Sequence, residues 1–336
     1  MDALSRRQHW AASLRSLYAI LRANPLTFVG FILVVFIVGV AILVELVPLV
    51  TGLFGHAVYL YPYDPVGGFT TNRLAPPSSA HWLGTDQYGL DLFSRTLAAL
   101  PVDLTIGFAI TAFGLGVGGA LGLVAGYWNT PWTLGGAIST LILRLADIFL
   151  SVPSLLLALA IVAVLGRGAF QSIVALMVTW WPYYTRLVRG EVLSIKQQPY
   201  VTAAKAAGVR DRTIISRHIL RNLLEPIVVY YTMDVGTVIV VYSTISYIGV
   251  GIPASIPEWG SMVESYANLF PAFPWPVLSV SLAIIFTVLA FSLLGDGLRD
   301  ILDPRSRRVL ASAGAPVAVA STQGGGGTGA AGAQLP

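Results

Sequence analysis

The chain contains no cysteine and little charge. Of its 336 residues only 11% are Asp, Glu, Lys or Arg, and lysine occurs twice, at Lys196 and Lys205. Without cysteine there is no disulfide, thiolate metal site or thiol nucleophile. There is also no G-x-x-x-x-G-K-[ST] run to cradle the phosphates of ATP. His9, His56, His81 and His218 are scattered and form no H-E-x-x-H pair, so no metal site is expected. No serine and histidine are arranged as nucleophile and base. Asp86 and Asp91 do not follow the calcium-loop spacing; Thr85 or Asp86 capping a short helix explains them better. An ordinary soluble domain is excluded too, since about a quarter of its residues would be charged.

What is present is apolar: 55% of residues are hydrophobic and the mean hydropathy is +0.75. Crossing a bilayer takes about 20 helical residues. Six segments are long enough, near 26–50, 102–127, 134–165, 169–187, 223–250 and 276–298. The expected fold is therefore all-α, a polytopic membrane protein with about six transmembrane helices. The third segment contains Pro153, which removes a helix hydrogen bond and predicts a kink. Arg144 and Asp147, three apart, share a helix face and are expected to pair.

The charges are placed unevenly. Residues 1–25, the 186–221 stretch and residues 299–308 hold sixteen of the 20 Lys and Arg. With six spans these regions fall on one side, which positive-inside reasoning makes cytoplasmic. Both termini are thus expected in the cytoplasm and the protein in the plasma or inner membrane. This placement accounts for the net charge of +4 without nucleic acid. Residues 1–25 read as an amphipathic helix lying on lipid, with Trp10, Leu14, Leu17, Tyr18 and Leu21 on one face. The first span is 26–50, an extracytoplasmic segment 51–101, and the membrane core 102–308 with a cytoplasmic loop at 188–222. Residues 309–336, rich in Ala, Gly, Ser and Thr, read as a disordered tail. Residues 251–274, with several Pro and aromatics, read as an exterior scoop. Glu45 and Glu225 are expected near interfaces.

Within the basic loop, Pro199 suits the first turn of a helix and Gly208 its stop. Asp211 suits the cap of a second short helix, Arg212 to Leu220. Small Ala203, Ala204, Ala206 and Ala207 would let the first helix lie closely in a groove on another protein. A surface helix touching only lipid headgroups satisfies the same pattern. Asp234, near the middle of the fifth segment, is an ionisable residue in the membrane. It is a candidate for the translocation path or, equally, for a helix–helix hydrogen bond.

Tyr200-Val201-Thr202-Ala203-Ala204, Gly208 and Arg217-His218-Ile219-Leu220 resemble the "EAA" coupling motif of ABC-importer permeases, with Thr202 in place of Glu and Arg221 in place of Pro. Four further stretches are similar to that family in the same order. They are His81 to Arg95, Asp147 to Ser154, Tyr247-Ile248-Gly249-Val250-Gly251 with Pro257-Glu258-Trp259-Gly260, and Gly295 to Arg305. The chain thus resembles, over about Asn24 to Arg305, the C-type permease of the dipeptide/oligopeptide/nickel branch. The resemblance implies a type I ABC-importer permease fold and a non-catalytic translocation subunit. Its implied partners are a second permease in a heterodimer, two ABC ATPase subunits, an extracytoplasmic solute-binding protein and membrane lipid. ATP and Mg would be bound by the ATPases, with no cofactor on this chain. The implied coupling residues are Tyr200, Thr202, Ala203, Ala204, Lys205, Ala207, Gly208, Arg217 and His218. The family's solutes include peptides, nickel complexes and, in some archaea, oligosaccharides. An ion-driven secondary transporter or an intramembrane enzyme would explain the apolar spans but not this motif.

Overall fold

The computed structural model describes residues 25–53, 58–253 and 255–302. The amphipathic helix expected over 1–25 lies, but for Pro25, outside them, as do His56 and the tail 309–336. Nine helices form among the described residues. They are α1 (Pro25–Gly52), α2 (Leu92–Tyr127), α3 (Leu134–Leu150), α4 (Ser154–Leu165), α5 (Ala169–Lys196), α6 (Pro199–Ala206), α7 (Asp211–Tyr247), α8 (Trp259–Ala267) and α9 (Trp275–Leu302). Two of them contain a wide π-turn, Gly114–Gly118 in α2 and Ile214–Ile219 in α7.

Four helices, α1, α2, α7 and α9 (the last to Asp300), are long and apolar enough to cross a membrane. The pair α3 and α4 makes a fifth span if counted together, bent by 86° at its break. The kink expected at Pro153 is therefore a sharp break. Pro153 itself leaves the helical region, with ψ at 128°, and the second helix restarts at Ser154. The expectation of six apolar spans needs one correction. The fourth expected segment, 169–187, forms within α5, whose 28 residues carry Arg186, Arg189, Glu191 and Lys196. It packs against α2, α3, α4 and α7. A helix enclosed by protein need not be apolar all round.

Several boundaries also differ. The second span begins at Leu92, ten residues before the expected 102, because Asp91 caps it: Ser94 N–H donates to Asp91 Oδ2 at 2.8 Å. Asp91 is therefore the cap, not Thr85 or Asp86. Asp86 closes a turn instead, accepting from Tyr88 and Leu90 N–H at 2.8 and 2.9 Å. Asp147 pairs with Arg186 on α5 at 2.5 Å, not with Arg144.

Glycine sets how closely the helices approach. Gly118, Gly122 and Gly126 recur every four residues on the face of α2 that meets α5. A Cβ on Gly122 would sit 2.6 Å from Thr185 O, and one on Gly126 2.8 Å from Val192 Cβ. Small residues at this spacing let helix backbones touch. Gly30 of α1 lies against Leu293 and Leu294 of α9, and Gly236 and Gly295 hold α7 against α9. α9 thus runs antiparallel to both, and the start of α1, the start of α7 and the end of α9 share one end of the bundle. Many apolar side chains of α1, Leu26, Ile32, Val35, Phe36 and Leu49 among them, remain exposed, as suits a lipid-facing helix.

The opposite end is closed by residues 58–91 and α8. Trp259 of α8 is buried and its N–H donates to Asp103 Oδ2 at 3.1 Å. Glu258 caps α8 through Gly260 and Ser261 N–H at 2.7 and 2.8 Å. His81 Nδ1 meets Asp91 Oδ1 at 2.9 Å, and the Tyr266 hydroxyl donates to Asp86 Oδ2 at 3.1 Å. Burial, with Asp86 adding to it and Arg95 opposing, pushes the Tyr266 hydroxyl above its ordinary pKa.

Candidate functional site

The expected loop at 188–222 is mostly helical. α5 continues to Lys196, and α7 runs unbroken from Asp211 through the expected gap before 223. Only the short α6 and its flanks lie between them. Pro199 is the first residue of α6, where its missing N–H costs nothing. The helix ends in a Schellman pattern: Val209 N–H donates to Ala204 O at 3.1 Å, and Gly208 adopts φ +71°. A side chain resists that left-handed conformation, so glycine is required there.

α6 is held by one apolar side chain. Val201 is fully buried in a cluster with Tyr127, Val188, Val192, Ile195, Ile214, Ile219 and Leu223. Burying one valine contributes roughly 1.5 kcal/mol. The cluster draws on the end of α2, the end of α5 and the start of α7, so α6 rests on three long helices at once. Thr202, Ala203, Lys205, Ala206 and Ala207 face outward. Ala204 is half-buried against the cluster. A helix with small exposed groups and a fixed inner face is suited to lie in a groove of another protein.

Tyr127 joins these parts. Its hydroxyl donates to Asp211 Oδ1 at 2.5 Å. Its carbonyl accepts from Lys196 Nζ at 2.5 Å, and Lys196 also donates to Asn129 Oδ1 at 2.7 Å. Lys205 Nζ stands 5.1 Å and Lys196 Nζ 5.5 Å from the centre of its ring, both within cation–π range. Asp211 thus anchors to α2; Arg210 stands at the N-cap of α7 and makes no side-chain cap bond. Lys196 lies beyond the apolar part of α5. Burial and then repulsion from Lys205 hold its ammonium below the ordinary lysine pKa, with Asp211 opposing.

The nine expected loop residues do not all meet. The rings of Tyr200 and His218 approach to 6.1 Å, linking α6 to the π-turn of α7. Arg217 points outward. Tyr127, Lys196, Asp211 and buried Val201 were not among the expected site residues. A tyrosine closing an apolar run reads as an interface anchor, and nothing near it in sequence points to a loop 84 residues away.

Asp234 sits in α7, 9% exposed, and its Oδ2 accepts from Trp180 Nε1 at 2.7 Å and the Tyr184 hydroxyl at 2.9 Å, both on α5. The carboxylate therefore bridges two helices. Among the described residues no group of three or more His, Asp or Glu is gathered as for a metal.

The family profile described as "Binding-protein-dependent transport system inner membrane component" matches residues 118–308. The glutathione transport system permease protein GsiD of Pectobacterium atrosepticum is 41% identical over 250 residues, 74% of this chain and 81% of that protein. The dipeptide transport system permease protein DppC of Alkalihalophilus pseudofirmus is 37% identical over 293 residues, 87% of this chain and 90% of that protein. A chain of the methionine ABC transporter MetNI in an inward-facing conformation superposes with a TM-score of 0.51 at 20% identity, covering 62% of this chain and 96% of that one. The described helices thus have the fold of an ABC-importer permease. On the profile and these relatives, the chain belongs to the binding-protein-dependent transport system inner membrane components, and it is a multi-pass permease subunit of an importer.

Proposed function

We propose that this permease works in an ATP-driven importer of peptide-like solutes, with α6 as the element that docks an ATPase. The reading is supported above all by α6 itself: its inner face is locked to α2, α5 and α7 through Val201, while its outer face is small and free. A push on such a helix is passed to three long helices at once. Tyr200, Thr202, Ala203, Ala204, Lys205, Ala207, Gly208, Arg217 and His218 form the coupling surface in this reading. The α6 end faces the cytoplasm and two ATPases, which bind ATP and Mg. Residues 58–91 and α8 face a solute-binding protein, and a second permease completes the pathway. The relatives named for dipeptide and glutathione transport support the choice of solute class.

Asp234 belongs, in the same proposal, to the pathway wall, where its bonds to Trp180 and Tyr184 set α7 against α5. Asp234→Asn keeps an acceptor but removes the charge. Uptake is expected to fall several-fold with assembly intact; unchanged uptake removes Asp234 from the pathway.

The experiment that tests the whole reading is co-expression with candidate partner chains. ATPase activity of the purified complex is then measured with and without solute-binding protein, across peptides and oligosaccharides. Stimulation by peptides is the expected result. Failure of any ATPase to assemble with the permease would overturn it.

A further inference from the structure

A polar pocket of about 440 Å³ opens beside α6, between the end of α5 and the turn after α2. Its walls are Asn129, Leu193, Lys196, Gln197, Thr202 and Lys205. Both lysines of the chain meet here, and no carboxylate lines the pocket. Two of the three Lys196 N–H groups go to Tyr127 O and Asn129 Oδ1, which leaves one unused. Lys205 is exposed, over the Tyr127 ring, with no carboxylate in ion-pair range among the described residues. The acid that acts on Lys196 is Asp211, whose Oδ1 is already taken by the Tyr127 hydroxyl. Arg210, Arg212, Arg217 and Arg221 are exposed nearby in the chain and carry the same sign. The pocket thus gathers two cations and no carboxylate in its walls, with Asp211 the one acid acting on Lys196 from outside it.

We propose that this pocket receives a carboxylate side chain of the ATPase partner, so that the docking groove on that partner is acidic. The inference rests on the reading of α6 as the docking helix. Burial and Lys205 both disfavour the charged form of Lys196, Asp211 opposes them, and an incoming carboxylate would add to that opposing attraction. A protein carboxylate fits better than a lipid headgroup. Five of the six wall residues are polar, with Leu193 the exception, and Thr202, Ala203, Ala206 and Ala207 offer no anchor for acyl chains.

The test uses the full permease complex in nanodiscs of phosphatidylcholine alone. Affinity for the purified ATPase is measured at low and high salt for wild type, Lys205→Gln, Lys205→Glu and Lys205→Arg. Lys205 is chosen because it is exposed, so its replacement leaves the fold intact, whereas Lys196 also holds α2. The expected result is binding that weakens with salt, roughly tenfold weaker for K205Q, weaker again for K205E, and near wild type for K205R. Binding insensitive to salt and to K205E would overturn the acidic groove while leaving ATPase docking in place. An effect of Lys205 seen only after anionic phosphatidylglycerol is added would assign the pocket to lipid and overturn the proposal. If wild type binds no ATPase at any salt or lipid composition, the docking reading itself fails and this inference falls with it.

Discussion

At the end of the bundle closed by α8, Asp86, Asp91, Arg95, Asp103 and Glu258 are each 6% exposed or less. At the α6 end, Lys205, Arg210, Arg212, Arg217 and Arg221 stand in the open. The first set is spent on internal bonds: Asp91 caps α2 and holds His81, Glu258 caps α8, and Asp86 joins residues 58–91 to Tyr266. The second set makes few internal bonds, and α6 is positioned by an apolar cluster instead. Polar groups fixed inside one another make a stiff cap, because each lost partner strands a desolvated group. Charges left outside make a surface for a partner.

Substitution at each end should separate stability from coupling. Asp91→Ala removes the cap of α2 and the partner of His81. It is expected to cost about 2–3 kcal/mol, read as a lower melting temperature in detergent, with ATPase capture by the folded fraction unchanged. Equal losses in both would mean that the two ends are not independent. Gly208→Val places a β-branched residue at φ +71° in open space, so strain alone costs about 1–2 kcal/mol. Here ATPase capture should fall several-fold, while the melting temperature falls by less than in Asp91→Ala. Tyr127→Phe keeps the ring for both lysines and deletes the bond to Asp211, a loss of about 1.5 kcal/mol. Solute moved per ATP is expected to drop with docking retained; an unchanged ratio would exclude the Tyr127–Asp211 bond from passing motion of α6 to α2.

The smallest effect concerns pH. Lys196 titrates below its ordinary 10.5, so between the two values the folded protein binds fewer protons than the unfolded chain. Stability therefore rises with pH across that window. In a series of melts up to about pH 10, Lys196→Met should flatten this rise relative to wild type. A slope identical to wild type would place the effect elsewhere.

Local chemistry was legible where it acts over one or two turns. Pro153 announced the break, and Pro199 and Gly208 bracketed α6, because proline and glycine act on their own backbone. Apolar length alone marked α1, α2, α7 and α9. Helix starts were harder. Pro101 resembles a first-turn residue, yet the cap at Asp91 begins α2 earlier and Pro101 lies inside it. The charges of 211–222 hid the continuity of α7, which the cluster around Ile214 and Ile219 supports. Partners from other helices were out of reach: Asp147 chose Arg186 over Arg144, and Asp234 found Trp180 and Tyr184 across 50 and more residues.

The wide turn at Ile214–Ile219 carries a consequence for evolution and engineering. Such a turn holds one residue more than a regular helix would, and each helical residue advances the direction of the next by about 100°. Removing one residue there would restore a regular helix at little local cost. Because the wide turn absorbs that residue locally, the deletion would leave Asp211 and Arg212 in phase with the rest of α7, whereas a deletion in the regular part of α7 would swing them by that angle, away from Tyr127. The turn is therefore where α7 can gain or lose one residue and keep its phase, while length in the regular helix beyond it is constrained even where identity is free.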